Sequence, residues 1–412
     1  MQALNLNLLS GAALRERFFA LDAFLLTQQS IWREKPFVQQ ALSWETDYPE
    51  LAAWLRARSL ADAEACHGDP NSILAPQPFT NWAQQAQQLC QISRFTPIEL
   101  NQRPLRMQSG IGERKWLQIE AFASAVHSGA EQSFNDTQQW LDWCAGKGHL
   151  GRYLAWPNAD LQCLEFNSQL VSSGYAISQK YLSQAQHTLC DVLSAASTAP
   201  LQSSDAVVAL HACGDLHTHL VRQVSAQQAA ALALAPCCYN RTQAELYQPL
   251  SSAAQASALQ LDRDDLSLPL TATVTATTRE RRLRDQSMAW RLAFDVLQRE
   301  LRGVDEYLPT PSLSAIWFNK PFVQWCHDLA ALKGLPDVHE QNWSGLEAAG
   351  WQRLAQVRNL ELVRALFRRP LELWLVLDQA LFLEEQGFSV ELGEFCPIEL
   401  TPRNLLLLAR RG

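Results

Sequence analysis

The sequence has no surplus of positive charge. Lys and Arg number 34 against 42 Asp and Glu, giving a net charge of −8 and a pI near 5.6. That argues against an overall basic nucleic-acid binder, while a local basic groove stays open. Charged residues are only 18% against 47% hydrophobic, ample material for a large core. The ten cysteines contain no CxxC pair and no regular spacing. With no signal peptide legible, a reducing, cytoplasmic setting is expected. Met1 to Leu25 is apolar in bias, but Arg15, Glu16, Arg17 and Asp22 interrupt it, so neither a signal peptide nor a membrane span is expected. Sustained repeats are also missing. Ile31–Phe37 echoes Ile316–Phe322 and Phe95–Leu100 echoes Phe395–Leu400, but neither extends into a period.

A chain of 412 residues is too long for one ordinary domain. Residues 1–105 read as a helical N-terminal region, with helices expected over Ala12–Gln29, Leu51–Ala65 and Asn81–Ile92 and breaks at Pro70, Pro76, Pro78 and Pro97. No catalytic constellation stands out there. Cys66 and His67 read as incidental, and the region suits capping, substrate recognition or oligomerisation.

The centre of the chain is Gln139 to Trp156. It reads as a strand (Trp140–Trp143), a glycine turn (Cys144–Gly148) and a helix from His149. Gly146 and Gly148 leave room for a sharp bend and a close ligand. The helix turns its free N–H groups towards that bend, a geometry suited to a nucleotide-like ligand, although two glycines also suit a plain structural turn. Leu161–Phe166 reads as a second strand, with Glu165 placed to accept from ribose hydroxyls. Asp191 is expected to end a third strand and reach a base. Ala206–Asp215 and Ala231–Asn240 are apolar runs ending in polar, functional-looking residues, as buried parallel strands do.

The segments Asp142-Trp-Cys-Ala-Gly-Lys-Gly-His-Leu150, His211-Ala-Cys-Gly-Asp-Leu216, Pro236-Cys-Cys-Tyr239 and Thr401-Pro-Arg-Asn404 together resemble class I S-adenosylmethionine-dependent methyltransferases. They are most similar to the branch of methyltransferase-like protein 25, its ribosomal-RNA-adenine-dimethylase-domain relative and the glutathione-S-transferase-C-terminal-domain-containing protein. The tRNA acceptor-stem 2′-O-methyltransferases, with their Cys-Cys-His-His motif, are more distant. The resemblance spans Met107 to Arg410 with a poorly matching segment near 242–365. Two departures are Cys144 in place of the first motif glycine and Asn240 in place of a His.

The resemblance implies an α/β, Rossmann-like class I methyltransferase sheet with a helical N-terminal region and a helical insertion. Residues 106–240 would bind S-adenosyl-L-methionine, 241–368 would be a mostly helical insertion or lid, and 369–412 a helix and strand pair completing the core. The implied cofactor contacts are Lys115, Asp142, Cys144, Ala145, Gly146, Gly148, Glu165, Asp191, His211, Cys213 and Gly214. Lys115 suits the methionine carboxylate or a substrate phosphate, and equally a solvated helix start. Pro236, Cys237, Cys238, Tyr239, Arg403 and Asn404 would line the acceptor side, with Thr401–Asn404 also readable as a structural turn. Methyl transfer from a sulfonium needs alignment and, for some acceptors, a base; His211, Asp215 and Tyr239 are candidates.

Three His, one Cys and one Asp in 211–219, followed by Cys237-Cys238, raise zinc binding. The spacing is wrong for a standard structural site and adjacent cysteines rarely chelate one ion together, so no metal is expected. His217 and His219 read as exposed on a helix.

In the insertion, Leu261–Thr278 alternates like one or two strands. Arg279-Glu-Arg-Arg-Leu-Arg284 is the most basic stretch, readable as a phosphate contact or a solvated helix start. Helices are expected over Ser287–Leu301, Phe322–Leu332 and Ser344–Phe367. Leu371–Gln386 reads as a helix closed by Gly387, followed by strands over Phe388–Cys396 and Asn404–Arg410. The acceptor points to RNA (tRNA or rRNA) through the tRNA-modifying relatives. The acidic charge and the lack of an Asn-Pro-Pro-Tyr motif leave protein, small-molecule and scaffold readings open. Neither DNA nor a membrane is an expected partner.

Overall fold

The computed structural model describes residues 8–129, 134–272, 278–336, 338 and 341–411. They form two compact units that interleave along the chain. One comprises Met1–Thr27, Gln88–Val274 and Arg368–Gly412, the other Gln28–Gln87 and Thr275–Phe367.

The first unit is built on eight strands: β1 (Leu9–Ser10), β2 (Gln139–Trp143), β3 (Asp160–Glu165), β4 (Gln186–Leu189), β5 (Ala206–Cys213), β6 (Ala231–Cys237), β7 (Phe388–Glu394) and β8 (Leu405–Arg411). Their order is β1-β7-β8-β6-β5-β2-β3-β4. From β6 to β4 the neighbours are parallel, while β8 runs antiparallel between β6 and β7. This is an α/β, Rossmann-like fold. All seven residues of β6 are buried, as are Ala206–Ala209 in β5. Continuous burial requires cover on both faces of the sheet, which crossover helices provide. On the Glu113–Ser128 helix, Trp116, Ile119, Phe122 and Val126 recur at helical spacing and share one core with Trp140, Val208, Ala233 and Leu408 of the sheet. Burying side chains of this size contributes about 1.5–3 kcal/mol each.

The chain leaves β2 for β3 and β4 on one side, then returns to β5 on the other. The strand order therefore reverses at β2, and a crevice opens beyond the carboxyl ends of β2 and β5, where open α/β sheets bind ligands.

Several sequence expectations change in detail. Leu9–Ser10 pairs with β7, adding a strand to a stretch read as helical. The Leu51–Ala65 helix is two helices, Pro49–Ala57 and Leu60–Cys66. Ser59 breaks it by starting a new capping box with Asp62. The strands expected in Leu261–Thr278 are not found in its described part. A 3₁₀ helix, Asp265–Thr271, stands there, opened by reciprocal bonds between the backbone N–H groups and carboxylates of Asp262 and Asp265. The Leu-Ser-Leu-Pro-Leu alternation imitates a strand, but Pro269 lacks a ladder donor. Residues 273–277 of that stretch lie outside the described residues.

The second unit is helical. Its main helices are Thr278–Arg302, Phe322–Leu332 and Trp343–Ala365. Trp290, Phe294, Leu297, Phe318, Phe322 and Trp325 form its aromatic core. These helices fall where the apolar spacing placed them, because an amphipathic period survives without tertiary context.

Candidate functional site

β2 delivers Asp142 and Trp143 to the crevice, and the chain then turns through left-handed backbone at Cys144, Gly146 and Gly148 (φ 57°, 59° and 70°). The turn is fastened by Ala145 N–H donating to the Leu164 carbonyl (2.9 Å) and Gly148 N–H to that of Ala145 (2.8 Å). The two glycines serve different needs. A Cβ on Gly148 would sit 2.7 Å from the His187 ring and 2.8 Å from the Cys163 sulfur, so that position packs down on β3 and β4. A Cβ on Gly146 would meet nothing within 4 Å, so that position faces open space.

The open space is a cavity of about 310 Å³, within the range of small-ligand sites. Gly110, Ile111, Gly112, Lys115 and Ile119 form one wall; Asp142 and Cys144–Lys147 form another; His149, Leu150, Leu170 and Leu210 complete it. Asp142 is buried and pushed up to about 7 by that burial, although Gly151 N–H donates to it at 2.9 Å. His149 is buried too and pushed down to about 4, chiefly by desolvation. Neither of its ring nitrogens has a hydrogen-bond partner among the described residues. Sequence reasoning missed His149 as a site residue, treating it only as a helix start. Its place directly after Gly148 was the available signal.

Glu165 clasps the turn. Its two carboxylate oxygens accept from the N–H groups of Gly146 (2.8 Å) and Asn167 (2.9 Å), which leaves further acceptor capacity on both. Asp191 lies two residues past the end of β4, is exposed, and accepts from Leu193 N–H at 3.0 Å. Neither carboxylate lines the cavity.

At the other edge, His211 interrupts the β5–β6 register and takes a left-handed φ of 62°. Its Nε2 meets the Gln118 side-chain oxygen at 2.8 Å, and the Gln118 amide donates to the Leu400 carbonyl at 3.0 Å. Burial, followed by the charges of Lys115, Arg403 and Arg114, pushes His211 down to about 4. Gly214 has a glycine-only conformation, and any Cβ there would overlap the Arg241 carbonyl. Asp215 fastens the same loop by accepting from Gln243 N–H at 2.8 Å.

Cys213 and Cys237 are direct partners in the β5–β6 ladder, with sulfurs 3.4 Å apart. The Cys238 sulfur joins them, all three lying within 4.8 Å of one another. The neighbouring thiols of Cys237 and Cys238, the former more strongly, pull Cys213 down to about 6 against its burial. Cys237, facing Cys213 and buried, is pushed up, and so is Cys238.

Tyr239 is buried, which raises its hydroxyl far above the usual range, and that hydroxyl has no hydrogen-bond partner among the described residues. Its ring packs edge-on to His217 at 5.6 Å. Contrary to expectation, His217 is buried, with Nδ1 3.1 Å from the Gln379 side-chain nitrogen. Residue 217 shares a face with Leu220, Val221 and Val224, the apolar side of the Asp215–Ala226 helix. His219 is half-buried, its ring stacked on Trp143.

Pro236 is buried within β6 opposite Ala212. Asn404 is fully buried, accepting from Arg369 (2.8 Å) and donating to the Cys396 carbonyl (2.8 Å). Its side chain is therefore engaged inside the fold. Arg403 donates to the Pro269 carbonyl and stands 3.8 Å from the buried Glu372 carboxylate. The structure thus gathers Lys115, Asp142, Cys144, Ala145 and Gly146 around one cavity, and Cys213, Gly214, Cys237 and Cys238 at the β5–β6 edge.

Fold and turn define a Rossmann-like α/β protein with a crevice at its switch point. A family model described as a methyltransferase domain matches residues 114–245, from the Glu113–Ser128 helix through the loop after β6. The match supports a methyltransferase enzyme with methyl transfer as its chemistry. No helix among the described residues is long and apolar enough to cross a membrane.

Proposed function

We propose that this chain is an S-adenosylmethionine-dependent methyltransferase acting on RNA, of the methyltransferase-like protein 25 branch. One observation carries the cofactor reading. The left-handed turn holds Gly146 against open space in a cavity that also presents Asp142 and Lys115, at the strand where the sheet order reverses. The volume and the polar set suit an amino-acid–nucleoside ligand.

In this reading Asp142 and Lys115 take the amino and carboxylate groups of the methionine half. Glu165 and Asp191 offer acceptors for the ribose and base. When bound, the cofactor supplies a sulfonium methyl group already activated for in-line displacement. The chain supplies alignment and a place for the acceptor proton. In this reading His211 serves as the base. With Nε2 donating to the Gln118 oxygen, Nδ1 is the free acceptor, and burial keeps the ring neutral near pH 7. One oxygen of the Asp215 carboxylate holds the loop by accepting from Gln243 N–H, and Tyr239 stays a neutral phenol, a donor rather than a base.

RNA is favoured by Arg279, Arg281 and Arg282, all exposed in the first turns of the Thr278–Arg302 helix. Cations at a helix N-terminus oppose the dipole, so helix stability does not explain them. Calorimetric titration with S-adenosylmethionine and S-adenosylhomocysteine tests the cofactor: micromolar binding of both is expected, and none by a folded sample would end the reading. For the acceptor, RNA affinity should fall steeply with salt and drop in Arg281→Ala plus Arg282→Ala. A flat salt response would remove RNA.

A further inference from the structure

We propose that Cys213, Cys237 and Cys238 form a binding site for a thiophilic divalent cation of the Zn²⁺ type, with three thiolate ligands and a fourth position left to a ligand from outside the cluster. This reverses the expectation, drawn from spacing alone, that no metal binds.

The adjacent pair is the crux. Along a regular strand, neighbouring side chains point to opposite faces, so Cys237 and Cys238 should diverge. They do not. β6 ends at Cys237, and Cys238 adopts a left-handed φ of 48°, turning the chain out of the strand. The Cys238 sulfur is thereby brought to within 4.8 Å of both other sulfurs. A left-handed conformation costs a non-glycine residue roughly 1–2 kcal/mol.

The dimensions suit an ion. Sulfurs around a tetrahedral zinc with bonds of about 2.3 Å stand about 3.8 Å apart. The Cys213 and Cys237 sulfurs stand at 3.4 Å, and the trio spans at most 4.8 Å, so side-chain movements of no more than about 1 Å reach the geometry. The register assists. Cys213 and Cys237 are paired across β5 and β6, so the sheet itself fixes two of the three arms. Cys237 is buried, whereas Cys213 and Cys238 are half-exposed, which gives an ion a route in. Among the described residues no fourth His, Cys, Asp or Glu joins the group. Three protein ligands with an open position is the pattern of reactive rather than purely structural zinc sites. On binding, each thiol that coordinates as thiolate releases its proton to solvent and forms a sulfur–metal bond, with no change of oxidation state.

The experiment uses the full chain, fully reduced. Co²⁺ is added and the thiolate-to-cobalt charge-transfer absorption followed, and Zn²⁺ is then added as competitor. One equivalent of Co²⁺ should raise the band and one equivalent of Zn²⁺ should abolish it. Cys213→Ser and Cys238→Ser should each weaken Co²⁺ binding by at least the 10- to 100-fold that loss of even a supporting partner costs. Cys66→Ser should leave binding unchanged. Because a variant can fail to fold, the wild-type protein also gives an independent readout. Zn²⁺ should protect Cys213 and Cys238, and not Cys66, from alkylation mapped by mass spectrometry. A folded, reduced protein without a charge-transfer band, a band retained in Cys213→Ser, or unprotected Cys213 and Cys238 would overturn the proposal.

Discussion

The two edges of the crevice reach the same backbone conformation by opposite means. At the β2 edge, two of the three left-handed residues are glycines, Gly146 and Gly148. At the β5–β6 edge, His211 and Cys238 are left-handed as well, and both carry side chains. Glycine enters this region at little steric cost, whereas a residue with Cβ is strained there. The difference separates backbone work from side-chain work. At the β2 turn Gly146 leaves open space beside the main chain, although left-handed Cys144 carries a side chain in the same turn. At the β5–β6 edge an imidazole and a thiol sit on left-handed backbone despite that strain. Of the four non-glycine residues with positive φ among the described residues, three (Cys144, His211 and Cys238) lie at this crevice. Strained backbone of this kind clusters at functional sites in general.

The contrast can be broken most forcefully at Gly214. Its Cβ would overlap the Arg241 backbone, which cannot swing aside as a side chain would. Gly214→Ala should therefore cost more than about 4 kcal/mol, or prevent folding, in denaturant melts. Gly146→Ala is the control. It has the same sign of φ but open surroundings, so only the strain of about 1–2 kcal/mol is expected. Equal losses in the two variants would show that strain rather than crowding dominates. Gly146→Arg sharpens the other side. It should leave the melting temperature within the loss seen for Gly146→Ala while reducing S-adenosylmethionine affinity by more than about 100-fold, because the side chain must enter the cavity. Unchanged affinity would remove the turn from the site.

Acidification is the next largest effect. His149, His187, His211 and His217 are all pushed well below the ordinary imidazole range, the first three to about 4 and His217 to about 3, with burial the leading cause in each. The folded state therefore binds fewer protons than the unfolded state between pH 6.5 and these values. Stability is full above about pH 6.5 and is lost as pH falls towards 4. His217→Asn preserves a polar contact with Gln379 and cannot take up a proton. It should flatten the stability profile in that window, measured by thermal melts from pH 7 to 4. An unchanged slope would show that His217 does not contribute.

Much of this was legible in the sequence and some was not, for identifiable reasons. The apolar runs of β5 and β6 and the Gly-Lys-Gly turn carry their meaning locally, so the sheet and its crevice could be read. Asn404 looked like a cleft residue, yet its side chain is engaged by Arg369 and Cys396, a contact across 35 residues that no local pattern encodes. His217 looked exposed because the chain's polarity was read without the helix phase; Leu220, Val221 and Val224 set that phase and turn it inward. The cysteine trio was set aside because its spacing fits no standard site and adjacent cysteines rarely chelate one ion together, which holds while strand alternation continues through Cys238. It stops one residue earlier, and only the backbone dihedral reveals that.

That dihedral gives the smallest and most discriminating prediction. Cys238→Gly removes the steric strain of the left-handed residue, worth about 1–2 kcal/mol. Glycine also gains freedom in the unfolded chain, which offsets about 0.5–1 kcal/mol of this. The thiol is only half-buried, so little packing is lost with it. The variant should therefore match or exceed the parent in stability by up to about 1 kcal/mol, a gain available because sites of function are rarely optimised for stability. Gly146→Ala, which introduces at the β2 edge the strain that Cys238→Gly removes at the other, should move the opposite way. Opposite signs in paired denaturant melts would confirm that the β5–β6 edge holds its sulfur at a conformational cost. Destabilisation of Cys238→Gly by more than about 1 kcal/mol would mean that the thiol packs rather than serves a ligand, and the two edges would then differ in sequence only.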